Sequence, residues 1–330
     1  MPEAIRAAIA GVGAAVPERV MTNADFEKIL DTSDEWITQR TGIKERRILS
    51  DGQTTGTLAT DAARKAMADA GVEGTDLDLI ICATITPEMP FPATACFVQD
   101  ALGATDVPCF DLSAACSGFL YALATGATFV ESGKYKRVLV IGADAISRMT
   151  DYSDRGSCIL FGDGAGAVVL EPTTDPDRGI LYNVLHANGG GWDYIHVPGC
   201  GSRHPTTEQT VNDRMHFVKM RGRDVYKFAV EKMQWLLADC MAHAVLTPGD
   251  IDLVVTHQVN VRIIKSAAEK NNFPLEKVYM NIERFGNTSG ASVPLAFAEA
   301  RDAGRIGAGS TVLLVAFGAG LTWAGSLIKL

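Results

Sequence analysis

The chain has 330 residues, 47% of them hydrophobic, which is enough to bury a large core and too much for one simple layered unit, so two domains or two fused halves are expected. Thirty basic against 39 acidic residues leave a net charge of −9, which excludes general nucleic-acid binding; any anionic partner must be met by a local basic patch. No run approaches the ~20 consecutive apolar residues of a membrane span, and Met1-Pro2-Glu3 lacks the basic-then-apolar order of a secretory signal. The seven cysteines are odd in number and show no C-x-x-C spacing, which argues against a disulfide framework and a zinc site. The expectation is a soluble protein of a reducing cytoplasm, with no metal.

Taken in chain order, Gly11-Val12-Gly13 follows a short apolar run but leads into Ala14-Ala15-Val16-Pro17, without the third glycine and helix of a dinucleotide fingerprint. Leu58, Ala62, Ala66 and Ala70 then keep helical spacing, and Asp76-Leu77-Asp78-Leu79-Ile80-Ile81 reads as the entry to a strand. Val138-Leu139-Val140-Ile141-Gly142 is a second apolar strand. Gly162-Asp163-Gly164-Ala165-Gly166 precedes a third and has no Walker lysine, so both Gly-rich pieces are expected to be tight turns and places of close backbone packing. The pattern then returns. Phe228, Met233, Leu236 and Cys240 lie on a helix, Asp250-Ile251-Asp252-Leu253-Val254-Val255 echoes the first strand entry, and Val312-Leu313-Leu314-Val315-Ala316 echoes the second, both at an offset of 174 residues.

One repeated offset points to duplication. Cys116-Ser117-Gly118 and Thr288-Ser289-Gly290 sit at a similar point in each half, displaced by 172 residues. Apolar strands alternating with amphipathic helices imply βαβ units and sheets covered on both faces. The expected division is 1–172 and 173–330, with the junction in the Pro-, Thr- and Asp-rich stretch from Glu171 to Arg178, and a site between the halves.

Three strings carry chemistry: Ala114-Ala115-Cys116-Ser117-Gly118, Thr256-His257-Gln258-Val259-Asn260, and Phe285-Gly286-Asn287-Thr288-Ser289-Gly290. Alone, each has an ordinary reading, as a buried thiol, a structural histidine and a turn asparagine. Joined, they make a site that can be acylated on sulfur and can hold an enolate oxygen. Cys116 lies between the apolar stretch Val107 to Leu112 and the helix expected from Gly118, where a helix N-terminus is expected to lower its pKa toward thiolate.

In this order and with these neighbours, Cys116, His257 and Asn287 resemble the Cys-His-Asn triad of the type III β-ketoacyl-acyl-carrier-protein synthases, a branch of the thiolase-like enzymes. The resemblance runs along nearly the whole chain. It implies an α/β thiolase-like fold of five layers, αβαβα, that forms a homodimer. It implies decarboxylative condensation of an acyl-coenzyme A primer with malonyl-acyl carrier protein through an acyl-Cys116 intermediate, with no cofactor. By the same resemblance Ala319 supplies a second oxyanion N–H, and Phe317 lines the pocket. Thr32, Trp36, Arg40, Arg155, Gly222 and Tyr226 form the coenzyme A entrance, with the base between Trp36 and Arg40. Gln258, Val259, Asn260, Val261 and Arg262, with Lys227 and Lys265, form the carrier-protein docking segment, and Phe91 reaches the partner's acyl pocket. A condensing enzyme of secondary metabolism and an inactive scaffold subunit are the alternatives. A degradative thiolase needs a second cysteine near the carboxy terminus, where the last here is Cys240.

Overall fold

The computed structural model describes residues 5–330, so the reading of Met1-Pro2-Glu3 lies outside the described residues. Two five-stranded sheets organise the chain. The first runs in the order Arg6–Ala15, Asp163–Thr173, Val138–Ala145, Leu79–Ala83, Cys109–Leu112, and the second in the order Gly179–Ala187, Thr322–Lys329, Thr311–Gly318, Leu253–Thr256, Val278–Tyr279. In both, three neighbouring parallel strands are continued on one side by two more, each antiparallel to the strand before it. Leu79 pairs with Val138, and Leu253 with Val312, so the offset of 174 seen in the sequence is also the offset of the strand pairing.

Strand side chains alternate between two hydrophobic layers, as the period of a pleated strand requires. Ile81 and Val140 of the first sheet, with Val255 and Leu314 of the second, face a shared central core built on the helices Gly118–Glu131 and Ser292–Asp302. Ile80, Leu139 and Ile141 face outward onto the helix Thr55–Ala70, whereas Val254, Leu313 and Val315 face outward onto Gly222–Ala244 and Val261–Lys270. The result is five layers, helix, sheet, helix, sheet, helix, as expected. Both helices predicted from apolar spacing are present, with Leu58, Ala62, Ala66, Met233, Leu236 and Cys240 buried.

Two details differ from the expectation. Gly11, Gly13, Gly164 and Gly166 lie inside strands rather than in turns. Their second expected property holds, because a Cβ at Gly11 would lie 2.2 Å from the Ala66 carbonyl oxygen and one at Gly166 would lie 2.7 Å from the Leu295 nitrogen. The structural counterpart of the Ala115–Ser117 turn is Ser289–Ala291, again displaced by 174, with Ala115 (φ 48°) matching Ser289 (φ 52°). The shared Ser-Gly pair, at 172, is thus two residues out of the structural register.

Candidate active site

The loop carrying Cys116 leaves the strand Cys109–Leu112, passes Ala115 in left-handed backbone, and enters the helix Gly118–Glu131 through a single 3₁₀ turn. A hairpin from the other half holds this turn. The Ser117 hydroxyl donates to the Thr322 carbonyl (3.2 Å), and the Thr322 hydroxyl donates to the Ala114 carbonyl (3.0 Å). Gly318 lies so close that a Cβ there would stand 2.7 Å from the Cys116 nitrogen. The next residue of the hairpin is Ala319. Among the described residues neither the Cys116 nor the Ala319 backbone N–H donates to a backbone carbonyl in these turns, which keeps both available to an oxyanion. The positive φ of this turn falls on Gly320 (135°), the residue after Ala319.

His257 sits at the end of the strand Leu253–Thr256, where its N–H donates to the Val315 carbonyl (2.8 Å). Its ring is 1% exposed, stands edge-on to Phe317 with centroids 5.4 Å apart, and places Nδ1 2.6 Å from the Ser292 hydroxyl. Burial pushes the imidazole down to about 3, so it is neutral at ordinary pH. Asn287 is buried and held by its backbone, with its N–H on the Leu160 carbonyl (2.8 Å) and its carbonyl accepting from the Gly162 N–H (3.0 Å). Its Oδ1 accepts from the Ser289 N–H (2.9 Å). Among the described residues Nε2 of His257 and Nδ2 of Asn287 have no protein partner, leaving one free nitrogen on each side chain.

The six residues Asn287 to Ser292 bring the triad together. Asn287 is a member, the Ser289 hydroxyl lies 3.6 Å from the Cys116 sulfur, and the Ser292 hydroxyl bonds His257. The expected lowering of the Cys116 pKa is not found. Burial pushes the thiol up to about 12, with Asp144 adding to the rise, and the opposing pulls of the Ser289 hydroxyl and the backbone are smaller. The helix starts at the sulfur, but desolvation of a thiolate between two sheets outweighs it. Ser289, Ser292 and Asp144 were missed in the sequence. Their signal was there: Asp144 is the one acid in the otherwise apolar strand Val138–Ala145, and both serines fall in a run of small residues just after Asn287.

The entrance residues fall on one helix and its surroundings. On Asp34–Thr41, capped by the Ser33 hydroxyl, Trp36 carries the Arg40 guanidinium 4.6 Å from its ring centroid and that of Arg155 at 5.1 Å. Arg40 therefore rests on the ring it was expected to face across a base. Thr32 keeps a buried hydroxyl without a partner, and Gly222 and Tyr226 are exposed at the start of the helix Gly222–Ala244. The expected docking segment begins buried and ends at the surface: Gln258 is buried, Val259 to Val261 are half-buried and Arg262 is exposed. Gln258 is 1% exposed, and its amide bonds four backbone groups, at Thr256, Tyr279, Asn281 and Ile282, so it braces the site rather than facing a partner. Val259 packs against the outer core, and Val261 lies against Gly42. Asn260 and Arg262 donate to the Arg40 and Gln39 carbonyls (2.8 and 2.6 Å), satisfying the end of the Trp36 helix. Lys227 and Lys265 are exposed, as is Phe91 at 83%.

Comparison with known proteins places these features in one group. Residues 110–189, which include Cys116, match the family model described as 3-oxoacyl-[acyl-carrier-protein] synthase III, and residues 241–330, which include His257 and Asn287, match that of its C-terminal part. A β-ketoacyl-[acyl-carrier-protein] synthase III of Caldanaerobacter subterraneus subsp. tengcongensis is 49% identical over 329 residues, covering 100% of this chain and 99% of the relative. The chain belongs to the β-ketoacyl-[acyl-carrier-protein] synthase III family. The 3-oxoacyl-[acyl-carrier-protein] synthase III of Aquifex aeolicus superposes with a TM-score of 0.91 at 45% identity, covering 98% of this chain and 100% of that one. The priming β-ketosynthase of the R1128 polyketide pathway superposes at 0.92 with 35% identity, covering 100% and 98%. A synthase III architecture thus extends over the whole length, and no helix among the described residues is long and apolar enough to cross a membrane.

Proposed function

We propose that the chain condenses an acyl-coenzyme A primer with malonyl-acyl carrier protein to give a β-ketoacyl-acyl carrier protein and carbon dioxide, the step that initiates fatty acid synthesis, with the acyl group carried on Cys116. The Cys116 sulfur attacks the primer thioester, and the resulting oxyanion is held by the backbone N–H groups of Cys116 and Ala319. Coenzyme A leaves as its thiol. Malonyl thioester then enters, and loss of carbon dioxide puts charge on its carbonyl oxygen. His257 Nε2–H and Asn287 Nδ2–H are two neutral donors for that oxygen, supported by the neutral imidazole and by the free nitrogen on each side chain. Attack of the enolate carbon on acyl-Cys116 forms the new bond and releases the Cys116 thiolate, which takes up a proton from solvent to restore the thiol. Phe317, edge-on to His257, keeps water from the reacting carboxylate.

The observation that carries this reading is the Asn287–Ser292 string, which ties all three side chains to one turn. Acyl-enzyme mass and carbon dioxide release, measured separately on variants, test it. Cys116→Ser abolishes the acyl-enzyme and retains malonyl decarboxylation, whereas His257→Ala and Asn287→Ala lose decarboxylation by roughly 100-fold or more and still acylate. Equal loss of both activities in all three variants contradicts the assignment.

Several further elements belong to the same reading. No cofactor takes part. The Trp36, Arg40 and Arg155 cluster, with Thr32, Gly222 and Tyr226, receives coenzyme A, the base displacing a guanidinium from the Trp36 ring. The two duplicated halves are 1–172 and 173–330. A homodimer covers Met89, Phe91 and Phe97, which are exposed near the free edge of the strand Cys109–Leu112. The likeness to the R1128 priming synthase favours a second reading, in which the same condensation primes a secondary metabolite; intact-mass trapping with a panel of acyl-coenzyme A donors tells which primers are accepted.

A further inference from the structure

Arg46 carries a guanidinium with no exposed surface that the condensation as described does not use. It stands in the middle of the short strand Glu45–Arg47, opposite Met21 of Val20–Thr22. Its acceptors are all neutral. Nη1 donates to the Asn23 Oδ1 (2.9 Å) and the Met21 carbonyl (3.2 Å), Nη2 donates to the Ile159 carbonyl (2.6 Å), and Nε is buried without a partner. The Phe26 ring centroid lies 4.6 Å from the guanidinium carbon. Burying a cation with no carboxylate bonded to it destabilises a fold, so the reason for Arg46 is to be sought in what it joins.

One side is the helix that carries Trp36. Asn23 Nδ2 donates to Asp34 Oδ1 (2.8 Å) in its first turn and to the Ile43 carbonyl (2.8 Å) just past its end. The other side is the backbone that holds Asn287. Leu160, next to the Ile159 carbonyl, accepts from the Asn287 N–H, and the Gly162 N–H donates to the Asn287 carbonyl, so Phe161 and Asn287 pair like residues of parallel strands. The Arg46 stem lies against both pieces: a Cβ on Gly162 would stand 3.0 Å, and one on Gly286 3.4 Å, from the Arg46 Cβ. The Cys116 turn has a different support, the Thr322 hairpin of the other half.

We propose that Arg46 is a positioning residue for Asn287, its guanidinium fixing the Ile159–Gly162 segment against the frame of the Trp36 helix so that Asn287 Nδ2 points at the enolate oxygen. A guanidinium suits this place because its two terminal nitrogens donate to both sides at once in fixed directions, whereas an ammonium has one nitrogen for both. The inference rests on the reading of Asn287 as an enolate donor, and the test separates the two. Malonyl decarboxylation and single-turnover acylation by an acyl-coenzyme A are measured on Arg46→Lys, on Asn287→Ala and on the two combined.

Arg46→Lys is expected to lower kcat for decarboxylation roughly tenfold with KM held, because misplacing a donor weakens the transition state and not the ground state. Its acylation rate at saturation stays within about twofold of the unchanged protein, since the Cys116 turn does not hang on Ile159–Gly162. Over Asn287→Ala the same substitution is expected to cost nothing further, because a residue that acts only through Asn287 has nothing left to position. Should Arg46→Lys not fold, Asn23→Ser, which withdraws one acceptor, takes its place in the cycle, with a loss of about threefold alone and none over Asn287→Ala. An unchanged kcat, an equal fall in decarboxylation and acylation, or the same factor lost with and without Asn287 overturns the proposal, the last two because a general packing defect acts on every step. Normal decarboxylation by Asn287→Ala fails the reading of Asn287 itself, and the role of Arg46 with it.

Discussion

The chemistry of His257 depends on which ring nitrogen carries the proton. Nδ1 has one neighbour, the Ser292 hydroxyl at 2.6 Å; with that hydroxyl donating, the proton resides on Nε2, where the enolate oxygen needs it. Ser292→Ala removes this control without touching Cys116. Malonyl decarboxylation is expected to fall roughly tenfold in kcat with KM held, while the rate of acyl-enzyme formation stays unchanged. Steady-state decarboxylation beside single-turnover acylation checks it, and an equal loss in both assigns Ser292 to packing alone. The same imidazole makes the fold acid-sensitive. Its folded value of about 3 lies below the ordinary 6.5, so on acidification the unfolded chain binds the proton first, and stability falls from pH 6.5 down to about 3. The slope is about 1.4 kcal/mol per pH unit from this group. Burial raises the carboxyls of Asp144 and Asp163, which works the other way, so the contribution of His257 is isolated by comparison. His257→Gln is expected to flatten the loss of denaturant-measured stability between pH 6.5 and 4.5; identical slopes in the two proteins refute it.

At the scale of elements, the two halves meet where the hairpin from Thr311–Gly318 to Thr322–Lys329 presses on the Cys116 turn. Gly318→Ala sets a methyl 2.7 Å from the Cys116 nitrogen and 3.1 Å from its Cβ, so the turn and not a flexible side chain must move. The expected cost in stability is about 1–3 kcal/mol. Acylation is expected to fall further, roughly 100-fold, because the two oxyanion N–H groups lie on the elements pushed apart. Gly307→Ala, where an added Cβ meets nothing within 4 Å, is the control, and acylation in Gly318→Ala equal to that control refutes the clamp. The strands and long helices on either side of this contact were legible because apolar periodicity and a repeated offset report burial directly. The turns were not. Gly11 and Gly166 signal close approach, but glycine does not distinguish a turn from a strand packed against a helix. The triad was legible from its neighbours, whereas the thiol's rise to about 12 depends on desolvation from both sheets, which no local string records. Gln258 was expected at a docking surface because its string resembles the family's docking segment, and only the four backbone groups around it explain its burial.

For the molecule as a whole, an acidic chain proposed to take an anionic carrier protein must present a basic patch, and the structure narrows which cations are free for it. Arg221 is paired with Asp193 and Asp224, and Arg262 is bonded to the end of the Trp36 helix. Lys227 and Lys265 are exposed, on the helices Gly222–Ala244 and Val261–Lys270, which pack against each other over the second sheet. Charge reversal therefore has two different outcomes. Lys265→Glu is expected to raise KM for malonyl-acyl carrier protein about five- to tenfold, an effect that shrinks at high salt, and to leave acylation from acyl-coenzyme A unchanged. Arg262→Glu places an anion against the carboxyl-terminal carbonyls of the Trp36 helix and breaks the bond to Gln39, so it is expected to weaken acyl-coenzyme A use as well. Paired measurements of the two KM values at low and high ionic strength decide this. A Lys265→Glu protein with normal carrier-protein kinetics removes Lys265 from the docking surface, and an Arg262→Glu protein impaired only toward the carrier returns Arg262 to it.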